Sequence, residues 1–103
     1  MALQITNVTE YSIKENSWIA KIASKKLRTT RIAIVIGKTI HLHNTTKQDF
    51  LHDEKWVKHE LCHIRQFQQN GYMVFTMKYL WESIKHGYFN NKYEVEAREA
   101  EGC

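Results

Sequence analysis

His59-Glu60-Leu61-Cys62-His63-Ile64-Arg65-Gln66 is the stretch on which the reading of this chain turns. Two histidines four positions apart on a helix project from one face, so both imidazoles can reach a single metal ion. A glutamate directly after the first histidine lies beside that ion, where it can take a proton from water. The surroundings favour a helix. From Asp53 to Asn70 there is neither proline nor glycine, and Gly71 follows where a helix ends. Trp56, Val57, Leu61, Ile64, Phe67 and Gln68 recur at helical spacing and form a stripe able to face a core. Asp53 and Glu54 suit the positive end of the helix dipole.

At 103 residues the chain reads as one domain, residues 1–103, with a single modest core. The net charge of +4 is mildly basic and falls well short of a nucleic-acid-binding tail. The two cysteines, Cys62 and Cys103, match neither a disulfide framework nor a cysteine zinc site. Cys62 is expected to be a small buried residue, and two unpaired thiols suit a reducing cytoplasm. Met1 to Thr9 lacks the basic-then-apolar order of a signal peptide. The longest aliphatic run, Ile32 to Ile36, is too short for a membrane span. A cytoplasmic protein is the expectation.

Leu3 to Val8 reads as a short strand, or as part of an extended arm over residues 1–10. Asn16-Ser17 can cap a helix in which Trp18, Ile19, Ile22, Ala23 and Leu27 recur, giving a first helix over 17–27. Arg31 to Ile36 is β-branched, Gly37-Lys38 can turn, and Thr39 to His43 alternates, so 31–43 reads as a β-hairpin. Ile40 and Leu42 share one face, with His41 and His43 on the other as surface histidines rather than ligands. Asn44 to Asp49 is expected to be a loop running through Phe50-Leu51-His52, with Asp49 or Asp53 as the cap of the next helix. Tyr72 to His86 is apolar around most of its circumference, which predicts a largely buried helix. The alternative is a partner surface, a homodimer through residues 72–86 being the simplest case. Gly87 ends this helix, and Asn90 or Asn91 caps a last one running to about Glu101. The fold class is α+β: a small antiparallel hairpin or three-stranded sheet on the long central helix, one N-terminal helix, and two further C-terminal helices.

Two histidines leave zinc short of its usual three protein ligands. A carboxylate from the last helix can supply the third, and Glu94, Glu96, Glu99 and Glu101 are the choices. Glu94 lies in the first turn, where a negative side chain is also favoured. Glu96 is the runner-up, although two residues along a helix it points about 200° away from Glu94.

His59 to His63 with a downstream Glu94-Val95-Glu96-Ala97-Arg98 resembles the gluzincin group of zinc metallopeptidases, in which a second helix carries a glutamate ligand. More narrowly, His59 to Gln66 with Gly87-Tyr88 and Asn91 to Ala97 is similar to small single-domain bacterial metallopeptidases of minimal-gluzincin type. The resemblance covers roughly residues 31 to 101. It implies a zincin-like fold, His59, His63 and Glu94 as ligands of one Zn²⁺, and Glu60 as general base. Two departures stand out. Lys92 replaces the usual proline at a helix start. Arg98 replaces an aspartate that in many gluzincins supports a ligand histidine, so that support must come from elsewhere.

The chemistry so implied is hydrolysis of a peptide bond, with Glu60 moving the proton from the attacking water to the leaving amine. Tyr79, His86, Tyr88 and Tyr93 are candidate donors to the oxyanion or substrate. A peptide or protein substrate would lie along an exposed edge of the 31–43 hairpin. Three alternatives compete: a latent or inactive peptidase fold, with Gly102-Cys103 reaching back as a plug; a zinc-binding module in regulation or protein interaction; and a metal-free helical domain in which the motif is coincidence.

Overall fold

The structure, a computed structural model, describes residues 10–102, so the expected arm and the strand over Leu3 to Val8 lie outside the described residues, as does Cys103. The elements are β1 (Ser12–Lys14), α1 (Trp18–Leu27), β2 (Ile32–Ile36), β3 (Thr39–His43), α2 (Lys47–His52), α3 (Glu54–Asn70), α4 (Tyr72–Asn90) and α5 (Lys92–Ala100). The class is α+β, as expected.

Four of the five helices begin where a short polar side chain can accept a backbone N–H; α4 begins at Gly71, with no side-chain cap. Ser17 caps α1, Thr46 caps α2 by accepting from the Asp49 N–H at 3.0 Å, and Asp53 caps α3 by accepting from Trp56 at 3.2 Å. Asn91 caps α5 through the Tyr93 N–H at 2.8 Å. Between α3 and α4 the chain turns at Gly71, whose φ of 82° is open to glycine and strained for other residues.

The hairpin forms as expected, with Ile34 opposite His41 and Val35 opposite Ile40. The sheet is not purely antiparallel, however. Ser12–Lys14 joins it as β1, parallel to β3, giving the order β1-β3-β2. Only Ile13 in that strand faces the core, so its pattern is too short to announce a strand. The core lies between sheet and helices: Ile40 and Leu42 from β3, Phe50 from α2, and Leu61 and Ile64 from α3, with Trp56 and Val57 against it.

Two other expectations fail. Residues 47–52 are a helix rather than a loop, because Thr46 caps them and Phe50 anchors them in the core. Helix α4 is not largely buried. Phe75 is 2% exposed, whereas Met73, Met77, Trp81 and Ile84 are 74%, 69%, 60% and 78% exposed. Apolar residues surround this helix, but among the described residues its packing is mainly against α3 and α5, and those side chains stay exposed. Gly87, with φ 81°, breaks it into a long segment and a final turn. No helix among the described residues is long and apolar enough to cross a membrane.

Candidate metal centre

Helices α3 and α5 pack against each other and bring three side chains together. His59 and His63 are one turn apart on α3, and Glu94 lies in the first turn of α5. One ligand atom from each lies within 4.8 Å of those from the other two. The two carboxylate oxygens are divided between the rings: Oε1 lies 3.1 Å from His59 Nε2, and Oε2 lies 3.2 Å from His63 Nε2. Glu94 and His63 are buried.

The outer nitrogens are also held. His59 Nδ1–H donates to Glu101 Oε2 at 2.6 Å, and His63 Nδ1–H donates to Gln66 Oε1 at 2.9 Å. Gln66 is fixed in turn, since its amide donates to Glu96 Oε1 at 2.6 Å and to the Tyr93 carbonyl at 3.1 Å. Outer hydrogen bonds of this kind fix the orientation of each ring, with Nε2 aimed inward at Glu94.

Proton accounting tests whether a divalent ion fits. Without one, and with Glu94 held ionised, Nε2 of each ring meets a carboxylate oxygen by carrying a second proton, so the site needs two imidazolium charges. One divalent cation supplies the same charge to two neutral rings. Zinc bonds of about 2.0–2.1 Å arranged tetrahedrally separate neighbouring ligands by about 3.4 Å, close to the two ring-to-carboxylate distances. Two imidazoles and one carboxylate are a donor set suited to zinc. The three residues could hold a divalent ion.

Electrostatics follow the same plan. Burial alone would lower His59, but Glu94, Glu60 and Glu101 outweigh it and hold its pKa at about 9. For His63 burial again opposes, and Glu94 and Glu60 again win, raising it. Burial would raise Glu94, yet hydrogen bonds from both histidines and from Tyr79 hold it far below the usual carboxylate range. Glu60 behaves differently: burial pushes it up to about 7 against the pull of His63 and His59. It is the one carboxylate of the group kept near neutrality.

Of the four expected donors, two reach this centre. The Tyr79 hydroxyl donates to Glu94 Oε2, and Tyr88, half exposed, lies close enough to Glu94 to feel its charge. Burial, followed by the Glu94 charge, raises both phenols and keeps them protonated. His86 is exposed on α4 and does not line the site. Tyr93 packs edge-on against Phe75, ring centroids 4.9 Å apart, and its contribution is its carbonyl. Cys62 is buried as expected, and burial pushes its thiol up to about 11. His41 takes a hydrogen bond with Ser17 Oγ at 2.8 Å and stays away from the cluster.

Glu96 is not placed as a ligand, because its carboxylate is spent on Gln66. Arg98 turns from the site, donating to the Phe89 carbonyl with its guanidinium over the Phe89 ring. The support that an aspartate there would give comes from Glu101, expected from the sequence only as a possible ligand. The available signal was spacing, since Glu101 follows Glu94 by seven residues, two turns along one face.

The centre opens on a cavity of about 790 Å³. Strand β2 forms one wall, Phe67, Tyr72, Phe75 and Leu80 form the other, and Glu60 and Tyr88 stand beside the ligands. Comparison with models of protein families, with curated proteins and with solved structures finds no match.

Proposed function

We propose that the chain is a zinc-dependent peptidase of the gluzincin kind, with a zincin-like fold, whose ligands are His59, His63 and Glu94. The observation that carries this reading is the convergence of the three side chains from two helices, both outer imidazole nitrogens already tied down, with buried Glu60 alongside. Bound zinc would supply Lewis acidity, which brings water within reach of deprotonation near neutral pH and polarises a carbonyl.

The remaining steps belong to the chain. A Glu60 carboxylate oxygen accepts the proton of the attacking water and hands it to the departing amine nitrogen. Its elevated pKa suits both halves of that task. Tyr79 orients Glu94 through its hydroxyl, and Tyr88, partly free at the cavity wall, is the phenol placed to donate to a substrate oxyanion. Strand β2 is an edge of the sheet and lines the same cavity, which suits an extended peptide adding as a further strand.

The test is metal analysis followed by a diverse peptide library. Wild type should carry about one zinc per chain and cleave; Glu60→Gln should keep the zinc and lose cleavage by about 10²-fold or more. Full zinc with no cleavage by either protein would leave a zinc-binding module instead of an enzyme.

A further inference from the structure

The outer face of α4 is not used by the metal centre. Met73, Met77, Leu80 and Ile84 follow one another at intervals of four, three and four residues, and Val74 and Trp81 extend the same side. At about 100° per residue they occupy an arc of roughly 120°. All six are at least half exposed, and Phe89, beyond the bend at Gly87, is 68% exposed. Side chains of this size leave on the order of 800 Å² of apolar-residue surface, above the few hundred Å² of the largest patch on an ordinary monomer.

The border of the face names its occupant. Lys78 and Lys85, seven residues apart, lie together along one flank. The large exposed rings carry cations: Lys85 Nζ is 5.8 Å from the Trp81 ring, and Arg98 Cζ is 4.0 Å from the Phe89 ring. Apolar side chains at the centre, aromatic rings near the edge and ammonium or guanidinium groups over them match the layering of an anionic lipid surface. A second copy fits less well, because antiparallel self-pairing of α4 would set one lysine flank against the other.

We propose that the chain binds anionic membranes peripherally through the exposed face of α4, with Met77, Trp81 and Ile84 entering the headgroup boundary and Lys78 and Lys85 meeting lipid phosphates. Leu80 belongs both to this face and to the cavity wall, so the bound chain presents its cavity at the lipid surface. The proposal stands whether or not the chain is a peptidase.

The experiment is co-sedimentation of the zinc-loaded chain with phosphatidylcholine vesicles, and with vesicles that also contain phosphatidylglycerol. Binding is expected to the second set, weakened by salt. Met77→Glu should abolish it, and Lys78→Glu/Lys85→Glu should weaken it by more than about tenfold. These positions are exposed, so zinc content and circular dichroism of the variants should match wild type; a variant failing either check is replaced by Ile84→Glu. Absence of sedimentation with both vesicle types overturns the proposal. So does a wild-type dimer by light scattering that Met77→Glu converts to monomer, which would make the face an interface between copies.

Discussion

Glu101 accepts a 2.6 Å hydrogen bond from His59 Nδ1 two helical turns beyond the point where Glu94 meets Nε2 of the same ring. One imidazole is thus gripped at both nitrogens by α5 and the residue that caps its end. The packing of α5 on α3 and the aim of the ligand are therefore a single structural feature. If zinc binds as proposed, Glu101→Ala should weaken it about 10- to 100-fold, because the ring loses the acceptor that fixes its tautomer. Glu101→Gln, which keeps an acceptor oxygen, should lose less, and Arg98→Ala almost nothing. Competition titration against a chelating dye measures all three; unchanged affinity in Glu101→Ala would refute the role.

Glu94 and Glu96 separate cleanly. Glu94→Ala removes the carboxylate shared by both histidines and should leave no tight zinc site. Glu96→Ala removes only the anchor of Gln66, one step behind His63, and should cost about tenfold or less. Zinc content after dialysis checks the first and the same competition titration the second. The reverse order would transfer the ligand role to Glu96.

Much of this arrangement could be read from residues. Helix α3 was legible because an uninterrupted stretch from Asp53 to Asn70 carries both a cap and a stripe, and α5 because Asn91 precedes it. Helix α2 was not, since six residues with one buried side chain leave no periodicity to read. The parallel strand β1 failed to show for the same reason. Helix α4 misled in a different way. Apolar residues all round a helix state that water is disfavoured there, but not whether the chain supplies a neighbour to cover them. Glu101 could have been found by extending the face of Glu94 two turns, once Arg98 had been recognised as unable to accept a hydrogen bond.

His41 offers a check on the sheet away from the candidate centre. Burial, followed by the charge of Lys14, lowers its pKa below the ordinary 6.5, and Ser17 Oγ lies 2.8 Å from its Nδ1. A histidine lowered in the folded state binds its proton more readily when unfolded. The native state therefore loses stability as pH falls from 6.5 through the folded pKa. NMR titration should place His41 below 6.5, and Lys14→Gln should raise it. A ring titrating at or above 6.5 would contradict the geometry.

Phe50 is fully buried and meets Trp56 edge-on, with ring centroids 5.2 Å apart. It is the only buried residue of α2, so its removal both opens a cavity and frees that helix. Phe50→Ala should cost about 3–5 kcal/mol. In a chain of this length that lowers Tm by more than about 10 °C, which calorimetry can measure. Leu51→Ala, next in sequence but exposed, should shift it far less.

Metal removal joins stability to the centre itself. Glu60 and Glu94 are two buried carboxylates in one site, each raising the electrostatic cost of the other's charge. A bound divalent cation relieves that repulsion and joins α3 to α5. If zinc binds only the folded chain, free zinc at a hundredfold excess over Kd adds about 2.7 kcal/mol of stability. A chelator should accordingly lower the Tm of the zinc-loaded chain by about 10 °C, and restoring zinc should recover it. In His63→Ala the site is already open, so chelator and zinc should both leave Tm nearly unchanged. A wild-type Tm indifferent to chelation, with loss of zinc verified by metal analysis, would detach the ion from the fold.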